Sequence, residues 1–402
     1  MLLFKMKTPN YRHFTNVFHV FNISDMDSSK IYRLFSSCIP VKGFQRSVVV
    51  DLIRNQIFYI PNVFYRMLSK NRTKTIEDII NSFGESNRNA IISFFEYLEQ
   101  KELVFPLEKK EQILFPKLSL QWDFPSDCSN AILDISQFSN YNISEAIVRL
   151  DDISCFHLQI RLLHEISQAY LEKLLELTND TSIRTVQLMM NYRQAIDEQL
   201  HTLFEKYWKL VKVEMFGAPE NRSTSLKENM AIIIYYADKV LLPEKCGVVS
   251  TDFFCINMEH FTESQCHNTC LNRKICIDAE GNIKNCPAMA KSYGNIRDTS
   301  LKEAIEKPGF KDLWYICKDQ IDVCKDCEFR YMCTDCRCFI KDPDNIHSQP
   351  AKCPYNPYIC LWEGQEGYVP VEECGAYSRE TGFVPDKKRI KELNRKIWGE
   401  EE

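Results

Sequence analysis

The sequence predicts an α/β protein in three parts: a small winged-helix-like N-terminal domain, a partial β/α barrel, and a cysteine-rich C-terminal segment. Three observations carry this reading. A β-branched and aromatic hairpin precedes three amphipathic helices between Ser29 and Leu107. Strand-like and helix-like runs then alternate at intervals of about 25 residues, the rhythm of a parallel βα array. Fifteen of the eighteen cysteines lie between Cys246 and Cys374. The expected divisions are 29–107, 118–245 and 246–375, with a helical tail over 376–402.

Composition narrows the function classes. The 402 residues are 45% hydrophobic and 26% charged, as in ordinary soluble globular proteins. A net charge of −5 gives no reason to expect nucleic acid or an anionic membrane as partner. Met1–Phe21 lacks the apolar core and cleavage site of a signal peptide. The longest apolar run, Ala231–Ala237, is too short to cross a bilayer. A cytoplasmic protein is therefore expected, and in a reducing compartment clustered cysteines are metal ligands more often than disulfides.

In the first part, Ser47–Leu52 and Gln56–Ile60 read as strands joined through Ile53-Arg-Asn55. Pro61 and Asn62 open a helix that reaches Leu68, and Thr75 with Asp78 caps a second. A third helix spans Ser86–Lys101 with Ile91, Phe94, Phe95 and Leu98 on one face, and Leu103–Phe105 closes the domain as a strand. In the second part the strands are Ala131–Ile135, Leu158–Leu163, Val186–Met190, Val211–Phe216 and Ala231–Tyr236. Helices fall at Ser144–Leu150, Ser167–Leu177 and Gln194–Trp208. Catalytic groups of such a fold stand just after the strand ends. The loop Ser136–Asn142 after the first strand holds no cysteine, and Cys128 and Cys155 flank it too far apart to substitute. In the third part, long elements are scarce apart from a helix near Leu301–Ile316, so metal–ligand bonds would replace a large core. Lys387–Trp398 is a charged amphipathic helix that docks on the body.

The cysteine spacing is Cys270-x10-Gly281-x4-Cys286, then Cys324-x2-Cys327-x5-Cys333-x2-Cys336, then Cys353. A Cys-x2-Cys turn aims two thiolates at one centre, and iron and zinc both accept four of them. Gly281 suits the reversal between two short strands that would return Cys286 to Cys270. No Cys-x3-Cys-x2-Cys triplet occurs.

This array resembles the SPASM domain of radical S-adenosylmethionine peptide maturases. The quartet's last gap, Cys333-Thr-Asp-Cys336, is two residues where the family has three, which leaves Cys338 as a rival to Cys336. Cys266-His-Asn-Thr-Cys270, Asn282-Ile-Lys-Asn-Cys-Pro287 and the stretch Cys324–Arg337 resemble the maturases of grasp-with-spasm systems. The resemblance implies two [4Fe–4S] clusters, one on Cys266, Cys270, Cys286 and Cys336 and the other on Cys324, Cys327, Cys333 and Cys353. Two zinc ions on the same thiols are the alternative. Cys276, Cys317 and Cys360 read as buried thiols, while Cys246, Cys255, Cys338 and Cys374 stay open.

The 29–107 region resembles the leader-peptide recognition element of such systems. A leader would add a strand to the sheet edge, with Phe58, Tyr59, Phe94 and Leu98 as candidate contacts that also read as core. A DNA-binding winged helix needs a basic recognition helix. Here Arg88 and Lys101 stand against Glu96 and Glu99. The implied function is maturation of a ribosomally synthesised precursor peptide beside an ATP-grasp ligase, without cleavage of S-adenosylmethionine because the triplet is missing. A redox peptide-modifying enzyme that works at its auxiliary clusters is a second reading, and a zinc-stabilised peptide-binding protein a third. No catalytic residue is assigned.

Overall fold

The computed structural model describes residues 26–226, 231–238 and 246–399. The Met1–Phe21 run and the expected boundary near residue 245 lie outside these residues.

The N-terminal unit opens with β1 (Ile31–Leu34), β2 (Cys38–Lys42), β3 (Arg46–Asp51) and β4 (Gln56–Pro61). Helices α1 (Asn62–Lys70), α2 (Ile76–Phe83) and α3 (Arg88–Gln100) follow, and β5 (Val104–Leu107) returns to pair antiparallel with β1. Strands β2, β3 and β4 form an antiparallel meander in which the expected hairpin gains a third strand. Asn55 takes a positive φ of 56° in the β3–β4 turn, a conformation asparagine tolerates better than most residues. Thr75 caps α2 through the amide of Asp78 at 3.1 Å, and Asp78 answers through the Thr75 amide at 3.2 Å.

All six residues of β3 are buried. One face of the meander packs through Val49 and Ile60 on the three helices, with Phe64 stacked on Phe94 at 3.8 Å. The other face, with Val41, Val48 and Val50, packs on Phe261, Phe329, Met332 and Tyr355 of the cysteine-rich segment. The N-terminal unit is thus half of a second core. Across that seam Arg46 donates to Glu328 at 2.7 Å and to the Tyr355 hydroxyl at 3.2 Å, and Tyr355 donates to Glu328 at 2.6 Å. The Arg46 guanidinium also lies 4.1 Å from the Tyr59 ring centroid.

The middle of the chain builds β6 (Asn130–Ile135), α4 (Ile143–Asp152), β7 (His157–Leu162), α5 (Gln168–Glu176) and β8 (Thr185–Asn191). Then come α6 (Gln194–Asp197), α7 (Leu200–Lys206), β9 (Leu210–Phe216), β10 (Arg222–Leu226) and β11 (Ala231–Tyr236). All five expected strands are present, and the expected helix over 194–208 is split into α6 and α7. After α8 (Met258–Glu263), the hairpin β12 (Lys274–Ile277) and β13 (Ile283–Lys284) joins the same sheet.

The result is an eight-stranded, mostly parallel sheet of order β10-β11-β9-β8-β7-β6-β12-β13. Its two ends, β10 and β13, do not pair, so the expected partial β/α array is an open sheet. β12 runs parallel to β6, with Ile277 opposite Leu133. One sheet face buries Leu133, Leu158, Ile160, Leu188 and Val213 in the main core. The alternate positions carry polar pairs, including Arg161 to Asp134 at 2.6 Å and Lys212 to Glu214 at 3.1 Å.

The helix expected over 301–316 stops early as α9 (Leu301–Glu306). Pro308 forces Lys307 into extended backbone at ψ 140°, and Gly309 follows at φ 90°. Short pairs β14 (Tyr355–Asn356) with β15 (Leu361–Trp362) and β16 (Gly375–Ser378) with β17 (Gly382–Pro385) complete the segment. The tail helix α10 (Lys387–Trp398), capped by Asp386, docks as expected: Asn394 donates to the Tyr358 carbonyl at 2.8 Å and Trp398 to that of Ile359 at 3.1 Å. Among the described residues no helix is long and apolar enough to cross a membrane.

Arg46→Met leaves the buried Glu328 carboxylate without its cation, a loss of about 3–5 kcal/mol for a buried pair. Chemical denaturation is expected to show that loss, and limited proteolysis to cut faster between Leu107 and Asn130. Replacing Glu328 by leucine in the same chain is expected to recover most of the stability.

Candidate metal centre

The cysteines of the C-terminal segment gather in two groups, each beside one lysine. The second group is the quartet Cys324, Cys327, Cys333 and Cys353, which together line one small cavity of about 30 Å³. Its wall is otherwise largely apolar, with Val249, Phe254, Val323, Phe329 and Trp362. The Lys318 ammonium enters this wall 3.5 Å from the Cys333 sulfur and 4.0 Å from that of Cys324. Lys318 is only 4% exposed. Burial opposes its charge, yet Cys324, Cys333 and Asp335 raise its pKa overall. Burial pushes the Cys324 thiol up to about 12, against the pull of Lys318.

The first group forms where the β12–β13 hairpin meets two loops. Cys270 precedes β12 and Cys286 follows β13, and Asn285 ties the two ends by donating to the carbonyls of Leu271 at 3.0 Å and Lys274 at 2.6 Å. Gly281 makes the turn at φ 83°, where a Cβ would press on Asn295, Ile296 and Tyr141 at 3.0–3.3 Å. The Lys274 ammonium reaches the Cys270 sulfur at 3.6 Å. Burial opposes this charge as well, while Cys270, Cys286 and Cys246 raise the lysine pKa. Cys246 shares a hydrogen bond with Cys336, which lowers the Cys246 thiol and raises that of Cys336. The approach depends on Gly247, whose positive φ of 80° would set any Cβ 3.0 Å from the Cys336 sulfur.

The four thiols gathered here are Cys246, Cys270, Cys286 and Cys336. Cys338 stands alongside and donates to the Ala288 carbonyl at 3.0 Å. Cys266 is exposed, and its thiol neighbours Cys317. Seven of the eight expected ligand cysteines fall within these two groups; Cys266 lies apart from them, and Cys246 lies in the first. No spacing pattern in the sequence links Cys246 to Cys336. The two lysines have no spacing signature. Cys276, Cys317 and Cys360 are buried thiols, as expected.

Between the groups sits a buried polar knot. Asn268 accepts the amides of Cys270 at 3.1 Å and Leu271 at 2.9 Å, and its amide donates to Asp335 at 2.7 Å. Asp335 also accepts from Arg337 at 2.7 Å and lies 3.8 Å from Lys318. Its carboxylate therefore faces the first group through Asn268 and the second through Lys318.

The donor set fits a metal centre. A buried ammonium needs an anion, and Asp335 is already engaged by Arg337 and Asn268. Metal coordination keeps thiols deprotonated, which would supply that negative charge on each lysine's other side. Among the described residues no three Cys, His, Asp or Glu side chains are arranged to hold a single metal ion. The thiols of the second quartet border a space rather than a point.

The loop after β6 is built differently. Tyr141 donates to the Asp134 carbonyl at 2.6 Å and packs under the Gly281 turn. Cys128 and Cys155 are buried against each other at the opposite end of β6 and β7. A six-residue strand spans about 20 Å, so neither thiol reaches that loop.

The four candidate peptide contacts do not form one surface. Phe94 and Leu98 are 1% and 0% exposed in the N-terminal core. Tyr59 faces the cysteine-rich segment beneath Arg46, with its ring 6.2 Å from Phe329. Phe58 is half-buried on β4 beside Arg54. The helical stripe that singled out Phe94 and Leu98 is core.

Asp335→Asn removes the carboxylate that two buried cations share, and a loss of about 3–5 kcal/mol is expected. Thiol alkylation followed by mass spectrometry is expected to show Cys270 and Cys333 becoming reactive together.

No protein-family model matches this chain. No curated protein matches it. Among solved structures it is similar to SuiB of Streptococcus suis in three crystal structures. With S-adenosylmethionine bound, the identity is 9% and the TM-score 0.34 over 76% of this chain and 96% of that one. With the precursor peptide SuiA bound, they are 10% and 0.35 over 80% and 99%. For SuiB alone they are 11% and 0.27 over 78% and 95%. A likeness at this level carries neither fold nor function across.

Proposed function

We propose that this chain is an iron–sulfur protein of ribosomal peptide maturation that binds a precursor peptide and works beside an ATP-grasp ligase. One [4Fe–4S] cluster would be held by Cys270, Cys286, Cys336 and Cys246, the last replacing Cys266. The other would be held by Cys324, Cys327, Cys333 and Cys353. The observation that carries this reading is a quartet of thiols around one largely apolar cavity, with a buried ammonium set against it.

A bound cluster supplies a one-electron redox couple and a four-way cross-link of the chain. Lys274 and Lys318 would offset its negative charge, and Phe254, Phe329 and Trp362 would keep water from it. The alternative reading places two zinc ions on the same thiols.

Peptide binding is assigned to the N-terminal unit, whose three-stranded sheet and three helices support the winged-helix reading and whose β4, among the described residues, pairs only with β3. The cysteine-free loop after β6, with Tyr141 packed at its base, supports a chain that does not cleave S-adenosylmethionine.

Anaerobic purification is expected to give about eight iron and eight sulfide per chain with broad visible absorption. Two zinc and no iron would overturn the cluster assignment, and cleavage of S-adenosylmethionine under reducing conditions the assignment of no cleavage. Cys246→Ser is expected to lower iron content, whereas Cys266→Ser leaves it unchanged. The reverse result restores the original ligand set. Cys327→Ala is expected to lower both iron content and the melting temperature.

A further inference from the structure

A second cavity lies in the N-terminal unit, away from both cysteine groups and from the β4 edge. It encloses about 280 Å³ between β1, β2, the end of α1 and the stretch Lys117–Leu120. Tyr32, Ile39, Met67, Leu68, Phe95 and Leu118 make it mainly apolar. Two guanidinium groups, Arg33 and Arg72, share the lining.

Among the described residues neither arginine has a carboxylate within ion-pair distance. Arg33 is 9% exposed and donates to the carbonyl of Gln112 at 3.1 Å. Arg72 is half-buried, and among the described residues the charge that bears on it is that of Arg33, which repels it. The carboxylates at this end of the domain, Glu99 and Asp27, act on Tyr32 instead. Lys117 at the mouth adds a third positive charge.

The rim is apolar and exposed. Phe35 lines the cavity, its ring lies 4.9 Å from Phe105, and Phe105 lies 4.9 Å from Phe115. Beside them Ile113 and Leu114 are 86% and 70% exposed. Contiguous exposed apolar surface of this kind marks interaction sites. Pro40 removes an amide donor from β2, so the site suits inserted side chains better than an added strand.

The geometry points to this cavity as the seat of an acidic apolar peptide segment, in which a carboxylate meets Arg72 and Arg33 while a neighbouring large side chain fills the pocket. The assignment rests on the N-terminal unit as a peptide binder, and it makes that segment part of the precursor. Acidic side chains next to leucine, isoleucine or phenylalanine are the recognition feature it names.

The test uses the full chain, purified anaerobically, with the fluorescein-labelled octapeptide SDLFEISG and its amide counterpart SNLFQISG, read by fluorescence anisotropy. The acidic peptide is expected to bind at least about tenfold more tightly, the scale of one charged hydrogen bond. Added salt is expected to narrow the gap. Arg72→Gln is expected to remove the preference and leave binding of the amide peptide unchanged. Arg66→Gln, on the exposed face of α1, is expected to keep the preference. Equal affinity of the two peptides for the unaltered chain overturns the assignment, and so does an undiminished preference in a folded Arg72→Gln chain. The unaltered chain decides alone if that variant fails to fold. Iron content separates the two proposals. Full iron loading without acid preference overturns this pocket and leaves the clusters standing. Acid preference in a chain without iron supports the pocket and overturns the clusters.

Discussion

The cysteine-rich segment depends on the Asp335 carboxylate. Few strands or helices organise Cys246–Cys374, so its loops need a fixed point, and Asp335 supplies one at 1% exposure. Through Asn268 it sets the turn that presents Cys270, and through Lys318 it faces Cys324 and Cys333. Arg337 neutralises it and donates onward to the carbonyls of Ser348 at 2.8 Å and Ile346 at 3.0 Å, which fixes the loop leading to Cys353. A buried charge is costly unless every lone pair is used. Here the geometry that satisfies Asp335 is also the geometry that brings the thiols together.

The N-terminal unit enters this arrangement through β3. Glu328 stands directly after Cys327, and its carboxylate is held by Arg46 from β3 and by Tyr355, two residues after Cys353. The Phe44 amide bonds to the Asp326 carbonyl at 2.7 Å, and Arg330 donates to the Lys42 carbonyl. Two cysteine-bearing turns of the second quartet are thus braced against the β2–β3 hairpin. A change at the hairpin is transmitted to the cavity by packed side chains and backbone bonds. The same seam explains why Tyr59 is unavailable to a peptide on the outer surface: its ring belongs to the internal contact.

Elements whose cause is local were legible in the sequence. Thr75 and Asp78 announced α2, the charged amphipathic pattern announced α10, and five apolar runs announced β6, β7, β8, β9 and β11. Cys-x2-Cys spacing placed Cys324 and Cys327 together because one turn suffices to do it. The failures have long-range causes. Cys246 is 90 residues from Cys336 in the chain, and no pattern announces that Gly247 allows the two to touch. Lys274 and Lys318 matter for the anions around them, which are distant in sequence. Phe94 and Leu98 matched the helical stripe of a binding face and the stripe of a core equally well, and burial decided for core.

The central sheet shows what becomes of a βα array when its first loop is given a structural task. Parallel sheets are usually apolar on both faces, yet this one carries Asp134, Arg161, Lys212 and Glu214 on the face away from its helices, each held in a pair. Such pairing satisfies charges that would otherwise need solvent or a ligand. On the open side of β6 the hairpin β12–β13 adds itself in parallel and seats its Gly281 turn on Tyr141. The loop that follows β6 thereby becomes a foundation for the hairpin whose two ends carry Cys270 and Cys286. A loop committed to that support makes the sheet a scaffold for the hairpin and for the two cysteines at its ends.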